Sequence, residues 1–260
     1  MLSPRTLAEA LRLKAERPDC LPIQGGTDVM VELNFDRQRP EALLNLNEVA
    51  ELRGWSRRNG TIRLGAGLTY AEAMESELAE ALPALAEASR TVGGPQIRNR
   101  GTIGGNLGTA SPAGDALPPL LVRDGIVELA SVRGTRELPL TEFLVGPKRS
   151  ALAADELILA VAVRPGDGRE TFMKIGPRNA MVISVVSLAL AVDGDEIRAS
   201  FGSAGPVPGL VSAPLPDRND LPERVAAAAS PIDDVRGTAA YRRHALRVLT
   251  LRALDRCLAA

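Results

Sequence analysis

This chain of 260 residues has only two cysteines and one histidine. Cys20 and Cys257 stand near opposite ends, and His244 sits in an arginine-rich tail. No CxxC pair exists, so neither a zinc site nor an iron–sulfur site is expected on this chain. Aromatic residues make up only 3%, so the core has to be built from Val, Leu, Ile and Ala. Charge of one sign is lacking too, with a formal net of −1. No basic run interleaves with aromatics, which excludes a nucleic-acid footprint. No apolar run reaches the length of a membrane span. VISVVSLALAV (182–192) is too short for that and reads as a buried strand. The opening MLSPRTLAEALRLK lacks the apolar core of a signal peptide. A soluble, reducing, cytoplasmic setting is therefore expected.

Catalytic motifs are equally scarce. Neither a P-loop (GxxxxGKS or GxxxxGKT) nor a GxSxG elbow occurs. GAGLTY (65–70) has two glycines of a dinucleotide fingerprint and lacks the third. One histidine leaves little for a Ser–His triad. Glu72, Glu75, Glu77 and Glu80 read as a solvated helix face, and no acid pair stands out. The chain has no catalytic side chain of its own that can be named. Any chemistry would come from a bound cofactor that the protein holds and orients.

What is present is a globular pattern, 45% hydrophobic and 24% charged. Ser3-Pro4 reads as a helix start, with Leu7, Ala10 and Leu11 on one face and Pro18 beyond its end. CLPIQGG (20–26) reads as a strand entering a glycine loop. Residues 27–34 should turn helical, with Thr27 or Asp28 as cap. ALLNL (42–46) is a strand. Asn59-Gly60 is a hairpin turn. Thr69 to Glu72 has the pattern of a capping box, and a helix is expected over roughly 77–90. Residues 92–115 are polar and nearly aperiodic, but Ile97, Ile103 and Leu107 argue for an ordered loop. ALPPLLV (116–122) is a buried helical turn. Strands follow at 126–131, about 136–140 and 156–163. RPGDGRE (164–170) is the linker. Beyond it TFMKIG, MVISVVSLALAV and EIRASFGSAG read as a three-stranded antiparallel meander turning at Asp193-Gly194. Residues 206–222 are proline-rich and irregular. The tail from Thr238 to Leu258 is a helix with Leu246, Leu249, Ala253 and Cys257 in one stripe.

Two glycine loops stand out, GGTD (25–28) and GTIGGN (101–106). Glycine pairs let an anion approach backbone N–H groups without meeting a Cβ. Thr27, Thr102 and Asn106 add side-chain donors. Asp115, if ionised, can accept from sugar or ribityl hydroxyls, and it can also cap the helical turn that follows. Two such loops and one sugar-binding acid suggest a dinucleotide held outside a Rossmann fold.

These segments carry a family resemblance. PIQGGTDVM (22–30), GPQIRNRGTIGGNLGTASPAGDALPPLL (94–121), ELILAVAV (156–163), FMKIGPRNAMVISVVSLAL (172–190) and SPIDDVRGTAAYRRHALRVLTLRAL (230–254) resemble the FAD-binding, or medium, subunit of the molybdenum hydroxylases of xanthine dehydrogenase and carbon monoxide dehydrogenase type. The resemblance implies an α+β fold. It consists of a two-subdomain FAD-binding domain of the vanillyl-alcohol-oxidase type over 1–166 (subdomains about 1–53 and 54–166) and a C-terminal domain over 167–260 with a three-stranded antiparallel sheet and helices. FAD would be bound non-covalently, since no His or Cys stands beside the loops. Gln24, Gly25, Gly26, Thr27 and Asp28 match the first pyrophosphate loop, with Pro22 and Ile23 leading into it. Thr102, Ile103, Gly104, Gly105 and Asn106 match the second. Val92, Gly93, Ile97, Gly101, Ser111 and Asp115 match further flavin-side positions. Leu157 and Ile158 match an apolar pair, and Lys174 a lysine beside the isoalloxazine, where its charge would favour added electrons. Tyr70 and Phe172 are the rings available to stack on the flavin.

The resemblance further implies a heterotrimeric oxidoreductase, with a small subunit carrying 2Fe–2S clusters and a large molybdopterin-binding subunit. This chain would pass electrons from the clusters to NAD⁺, a quinone or oxygen. Two cysteines are too few to ligate an ordinary cluster here. Two other readings are a stand-alone FAD-dependent reductase or oxidase of the same fold, and a non-catalytic assembly homologue. The segment 205–231 looks short for the family.

Overall fold

The computed structural model describes residues 1–166 and 169–259. Chain order begins with α1 (Leu7–Glu16), β1 (Leu21–Ile23), α2 (Val29–Asn34) and β2 (Leu43–Asn45). Helix α1 starts later than Ser3-Pro4 suggested. Thr6 is its N-cap, and the Thr6 hydroxyl accepts from the Glu9 N–H at 3.2 Å. The chain before it is instead drawn into the sheet, where Leu2 bridges Leu44. β1 and β2 pair in parallel.

A larger unit follows. β3 (Trp55–Arg58) and β4 (Thr61–Gly65) form the expected hairpin, with Asn59 at φ 50° and Gly60 at φ 74°, the signs a type I′ turn requires. The capping box closes in both directions. The Thr69 N–H donates to Glu72 at 2.7 Å and the Glu72 N–H to the Thr69 hydroxyl at 3.2 Å. The helix expected over 77–90 is broken into α3 (Ser76–Ala81) and α4 (Pro83–Thr91). Pro83 has no N–H for the first helix and sits at the start of the second. The aperiodic stretch 92–115 holds two short helices, α5 (Pro95–Arg98) and α6 (Ile103–Thr109). Then come α7 (Leu117–Val122), β5 (Ile126–Ser131), β6 (Gly134–Pro139), α8 (Leu140–Phe143), β7 (Leu144–Gly146), β8 (Arg149–Ser150) and β9 (Leu157–Val163). Among the described residues β3, β4, β9, β5 and β6 make one antiparallel sheet in that order. Its two faces feed different cores. Leu157 and Leu159 pack with Ala10, Leu44 and Leu52, whereas Ile158, Val161 and Val163 pack with Ile103, Leu107 and Leu117.

The linker segment includes Asp167 and Gly168, which lie outside the described residues. Beyond it run β10 (Glu170–Ile175), β11 (Val186–Asp193), β12 (Glu196–Gly202), β13 (Gly209–Pro214), α9 (Leu221–Ala228) and α10 (Ala239–Leu258). The expected meander is there, and it has a fourth strand. β13 lies within the proline-rich segment 206–222 and pairs antiparallel with β12 from Gly209↔Phe201 to Pro214↔Glu196. As the edge strand it tolerates a terminal proline. The second strand also starts later than expected, at Val186, and Met181 takes a positive φ of 52°. Leu246, Leu249, Ala253 and Cys257 of α10 are buried against the sheet, and His244 is exposed. Thr238 caps α10 by accepting from the Tyr241 N–H at 3.1 Å. A Thr238→Ala protein should lose about 1 kcal/mol of stability, read as a lower midpoint in urea with an unchanged slope.

Just before α10, Asp234 gathers two arginines. It accepts from the Arg236 N–H and guanidinium, both at 2.8 Å, and from Arg242, which is almost fully buried. Burial works against the charge, but the hydrogen bonds from Arg236 and Arg242 hold the carboxyl well below its ordinary 3.8. A depressed carboxyl contributes stability that is present above about pH 4 and lost as pH falls towards its folded value. Asp234→Asn should therefore lower the thermal midpoint at neutral pH. The gap from the parent should close as pH drops below about 4.

The segments on either side of residue 166 meet through a buried apolar cluster of Ala84, Ala88, Val122, Phe172, Ala189 and Ala191, and through charge. Arg123, at the end of α7, pairs with buried Glu170 at the start of β10 and with Asp193 at 2.7 Å. Glu170 also accepts the Ala84 N–H at 2.9 Å, and Glu87 accepts the Phe172 N–H at 2.7 Å. These contacts lay β10 along α4, which is how Lys174 reaches the segment 92–115.

Candidate functional site

The first loop is built by close approach. A Cβ on Gly25 would lie 2.0 Å from the Arg100 carbonyl oxygen, so only glycine lets the loop dock on residues 100 and 101. Gly26 supplies the turn, with φ 76°. Arg100 clasps the loop from outside, donating to the Gln24 carbonyl at 3.2 Å. The Gln24 side chain lies against Gly67, and Pro22 and Ile23 form the strand that leads in. Asp28 is the residue before α2, but its side chain does not cap that helix. It accepts from the Thr109 hydroxyl at 2.9 Å. Among the described residues, no hydrogen bond engages the backbone N–H groups of Gly25, Gly26, Thr27 or Asp28. Unpaired successive amides in a loop form a concavity suited to an anion.

The second loop works differently from the expectation. Gly104 and Gly105 lie in the first turn of α6, and Gly101 precedes it. The amides of residues 103–106 are occupied. Ile103 N–H donates to Leu68 O at 2.9 Å, Gly104 N–H to Ala66 O at 2.8 Å, Gly105 N–H to the Thr102 hydroxyl at 3.0 Å and Asn106 N–H to Thr102 O at 3.0 Å. Gly104 permits close packing, since a Cβ there would stand 2.5 Å from that of Ala66. Gly105 and Gly108 are exposed one turn apart, so this face of α6 is bare backbone on which a flat ligand can lie.

Beside it stand two buried oxygens without partners, Asn106 Oδ1 and Asp115 Oδ1. Unpaired buried acceptors are costly and call for a donor. Asp115 does not cap α7, since Ala116 holds that position. Its other oxygen meets Lys174 Nζ at 2.5 Å, with both side chains about 7% exposed or less. Burial pushes the Asp115 carboxyl up, and Lys174 pulls it back. Lys174 also donates to Thr91 O at 3.3 Å. No local pattern announces this pair, whose members are 59 residues apart.

Other expected positions divide. Gly93 has φ 45° and packs under Ile97, which is 40% exposed. Arg98 clamps the neighbouring carbonyls of Val92 and Gly93 at 3.2 and 3.0 Å. Gly101 is buried beneath the Tyr70 ring. Ser111 accepts from the Ala113 N–H at 3.3 Å. Ile158 lies nearest the position a Cβ on Gly108 would take, at 3.7 Å, but the Leu157 side chain points into the core on the other face of the sheet. Tyr70 and Phe172 are core residues, each 5% exposed, so neither ring is free to stack on a flavin. Thr109 and Arg100 lie outside the expected set, because nothing in the local sequence marks their long-range partners.

Comparison with known proteins gives the family and the fold. Residues 1–164 match the family described as the FAD binding domain in molybdopterin dehydrogenase. The chain is 30% identical over 275 aligned residues to the xanthine dehydrogenase FAD-binding subunit of Escherichia coli O157:H7, covering 98% of this chain and 94% of that one. It is 37% identical to the nicotinate dehydrogenase FAD-subunit of Eubacterium barkeri over 75% of this chain and 68% of that one. The fold is that of a chain of the cyanide-inactivated Cu,Mo-CO dehydrogenase, with TM-score 0.92, 23% identity and coverage of 99% and 96%. A chain of quinoline 2-oxidoreductase from Pseudomonas putida 86 gives TM-score 0.90 at 23% identity and the same coverage. The chain belongs to the family of FAD-binding medium subunits of the molybdenum hydroxylases.

Among the described residues no helix is long and apolar enough to cross a membrane. No group of three or more His, Cys, Asp or Glu among them could hold a metal ion.

Proposed function

We propose that this chain binds FAD non-covalently and serves as the electron outlet of a multi-subunit molybdenum hydroxylase. The observation that carries this reading is the pairing of a loop with four unengaged amides and a side-chain-free helix face, beside two buried acceptors that lack donors. These features fit a dinucleotide. The amides of residues 25–28 would hold the diphosphate, with the Thr27 hydroxyl beside them. Gly105 and Gly108 would let the cofactor lie on α6. Asn106 and Asp115 would accept from ribityl or ribose hydroxyls. Lys174 would set positive charge near the ring, moderated by Asp115. The bound flavin supplies the two-electron chemistry, and the chain's own part is to bind, orient and shield it.

Electrons would arrive from 2Fe–2S clusters on a small subunit, after a molybdopterin-binding large subunit has oxidised the substrate. NAD⁺, a quinone or oxygen would take them away. The relatives are themselves named as FAD-binding subunits of dehydrogenases, which supports this division. A division of the chain near 166 is supported by one hydrophobic cluster confined to the C-terminal sheet and its helices, while a smaller cluster joins α4 and α7 to β10 and β11 across it. The stand-alone reductase reading is weaker, because no acid or base among the site residues is free to serve a substrate. The test is to mix the FAD-loaded chain with a reduced 2Fe–2S partner and follow the flavin absorbance. Bleaching that depends on the partner is expected. Full activity with an organic substrate and no partner would refute the subunit reading.

A further inference from the structure

Asp28 poses a problem for an anion-binding loop. It carries a full negative charge in the segment whose amides would hold a diphosphate, and like charges at such range repel. The structure turns that carboxylate aside. Thr109, the last residue of α6, donates its hydroxyl to Asp28 Oδ2 at 2.9 Å across 81 residues of sequence. One hydrogen bond therefore joins the first loop to the far end of the helix that forms the second.

That bond matters because little else locates α2. The helix has six residues and not one of them is buried. A helix so short is not stable by itself, and no apolar face anchors this one. Its position depends on polar ties. One is Thr109 to Asp28. Another is Arg100 to the Gln24 carbonyl. The third is Lys148, whose N–H donates to Ala110 O at 3.0 Å while its ammonium meets Glu32 at 2.8 Å. All three ties are exposed to solvent, where each contributes modestly. The Thr109 bond acts closest to the loop.

We infer that Thr109 and Asp28 are positioning residues for the dinucleotide. Their hydrogen bond sets the spacing between the amides of residues 25–28 and the bare face of α6, and it holds the Asp28 carboxylate away from the diphosphate. Neither side chain itself binds phosphate. The inference rests on the FAD reading above.

The test is a set of full-length proteins stripped of flavin and titrated with FAD by fluorescence quenching, with the thermal midpoint of each flavin-free protein measured alongside. Thr109→Val keeps the shape and removes the donor. It should weaken FAD about three- to tenfold, the range one such hydrogen bond supports, and leave the flavin-free midpoint unchanged. Thr109→Ser restores the donor and should restore affinity. In an Asp28→Ala background, Thr109→Val should have no further effect, since the partners act as a unit. Unchanged affinity in Thr109→Val would overturn the inference. So would an equal loss in the Asp28→Ala background, or a flavin-free midpoint that falls in step with affinity. Failure of the parent protein itself to bind FAD is a different result, which removes the flavin reading beneath it.

Discussion

An alanine at position 25 is expected to deprive the protein of FAD. The added Cβ would sit 2.0 Å from the Arg100 carbonyl oxygen, 2.7 Å from its carbon and 3.1 Å from the Gly101 Cα. All three are backbone atoms in a segment that cannot retreat. Gly101 lies under the buried Tyr70 ring and donates to Ile97 O at 2.6 Å. The first loop must move instead, and its amides move with it. Overpacking of this kind costs about 1–3 kcal/mol of stability, and displacement of the amides should weaken FAD at least tenfold, an order-of-magnitude figure. A thermal melt and an FAD titration check both parts. Gly108→Ala provides the contrast. Its Cβ would have ordinary contact at 3.7 Å with Ile158, and alanine favours a helix interior by roughly 0.5–1 kcal/mol over glycine. The flavin-free protein should become slightly more stable while FAD binds more weakly. If Gly108→Ala leaves FAD affinity unchanged, the cofactor does not lie on this face of α6.

The second large effect is at the Lys174–Asp115 pair. Removing one member of a buried ion pair leaves the other charged and without compensation, at a cost of about 3–5 kcal/mol. Asp115→Ala should therefore lower the midpoint of unfolding steeply, because the Lys174 ammonium keeps only the Thr91 carbonyl. Replacing both, as Asp115→Leu with Lys174→Met, should recover most of that stability, since two apolar side chains can fill the space. The double variant should nevertheless fail to retain FAD. Stability and cofactor binding would then separate, which a purely structural ion pair would not produce. A double variant that is stable and holds FAD as tightly as the parent would show the pair to be structural only.

Much of this site was legible because glycine, threonine and asparagine in short runs leave few physical readings. The hairpin at Asn59-Gly60 and the capping box at Thr69 were legible for the same reason. Each depends on backbone signs or side-chain reach within four residues. What stayed hidden depends on distant contacts. The occupied amides of α6 depend on where Ala66 and Leu68 lie, and no local pattern states that. The Asp115–Lys174 and Asp28–Thr109 bonds join residues far apart in the chain, so Asp115 read equally well as a cap or as a sugar ligand. The edge strand β13 was masked by prolines at 206, 208, 214 and 216, which mark turns at its ends and leave its centre free to pair. The break at Pro83 is hidden by a charge pattern that continues across it.

The most direct test of the account is the visible spectrum of the purified full-length chain after incubation with FAD and removal of the excess, with the chromophore then released by acid and identified. The account predicts a flavin spectrum, release of intact FAD without covalent attachment, and loss of both in Gly25→Ala. A folded chain that stays colourless with FAD present, alone and with the proposed iron–sulfur and molybdenum subunits, would contradict it.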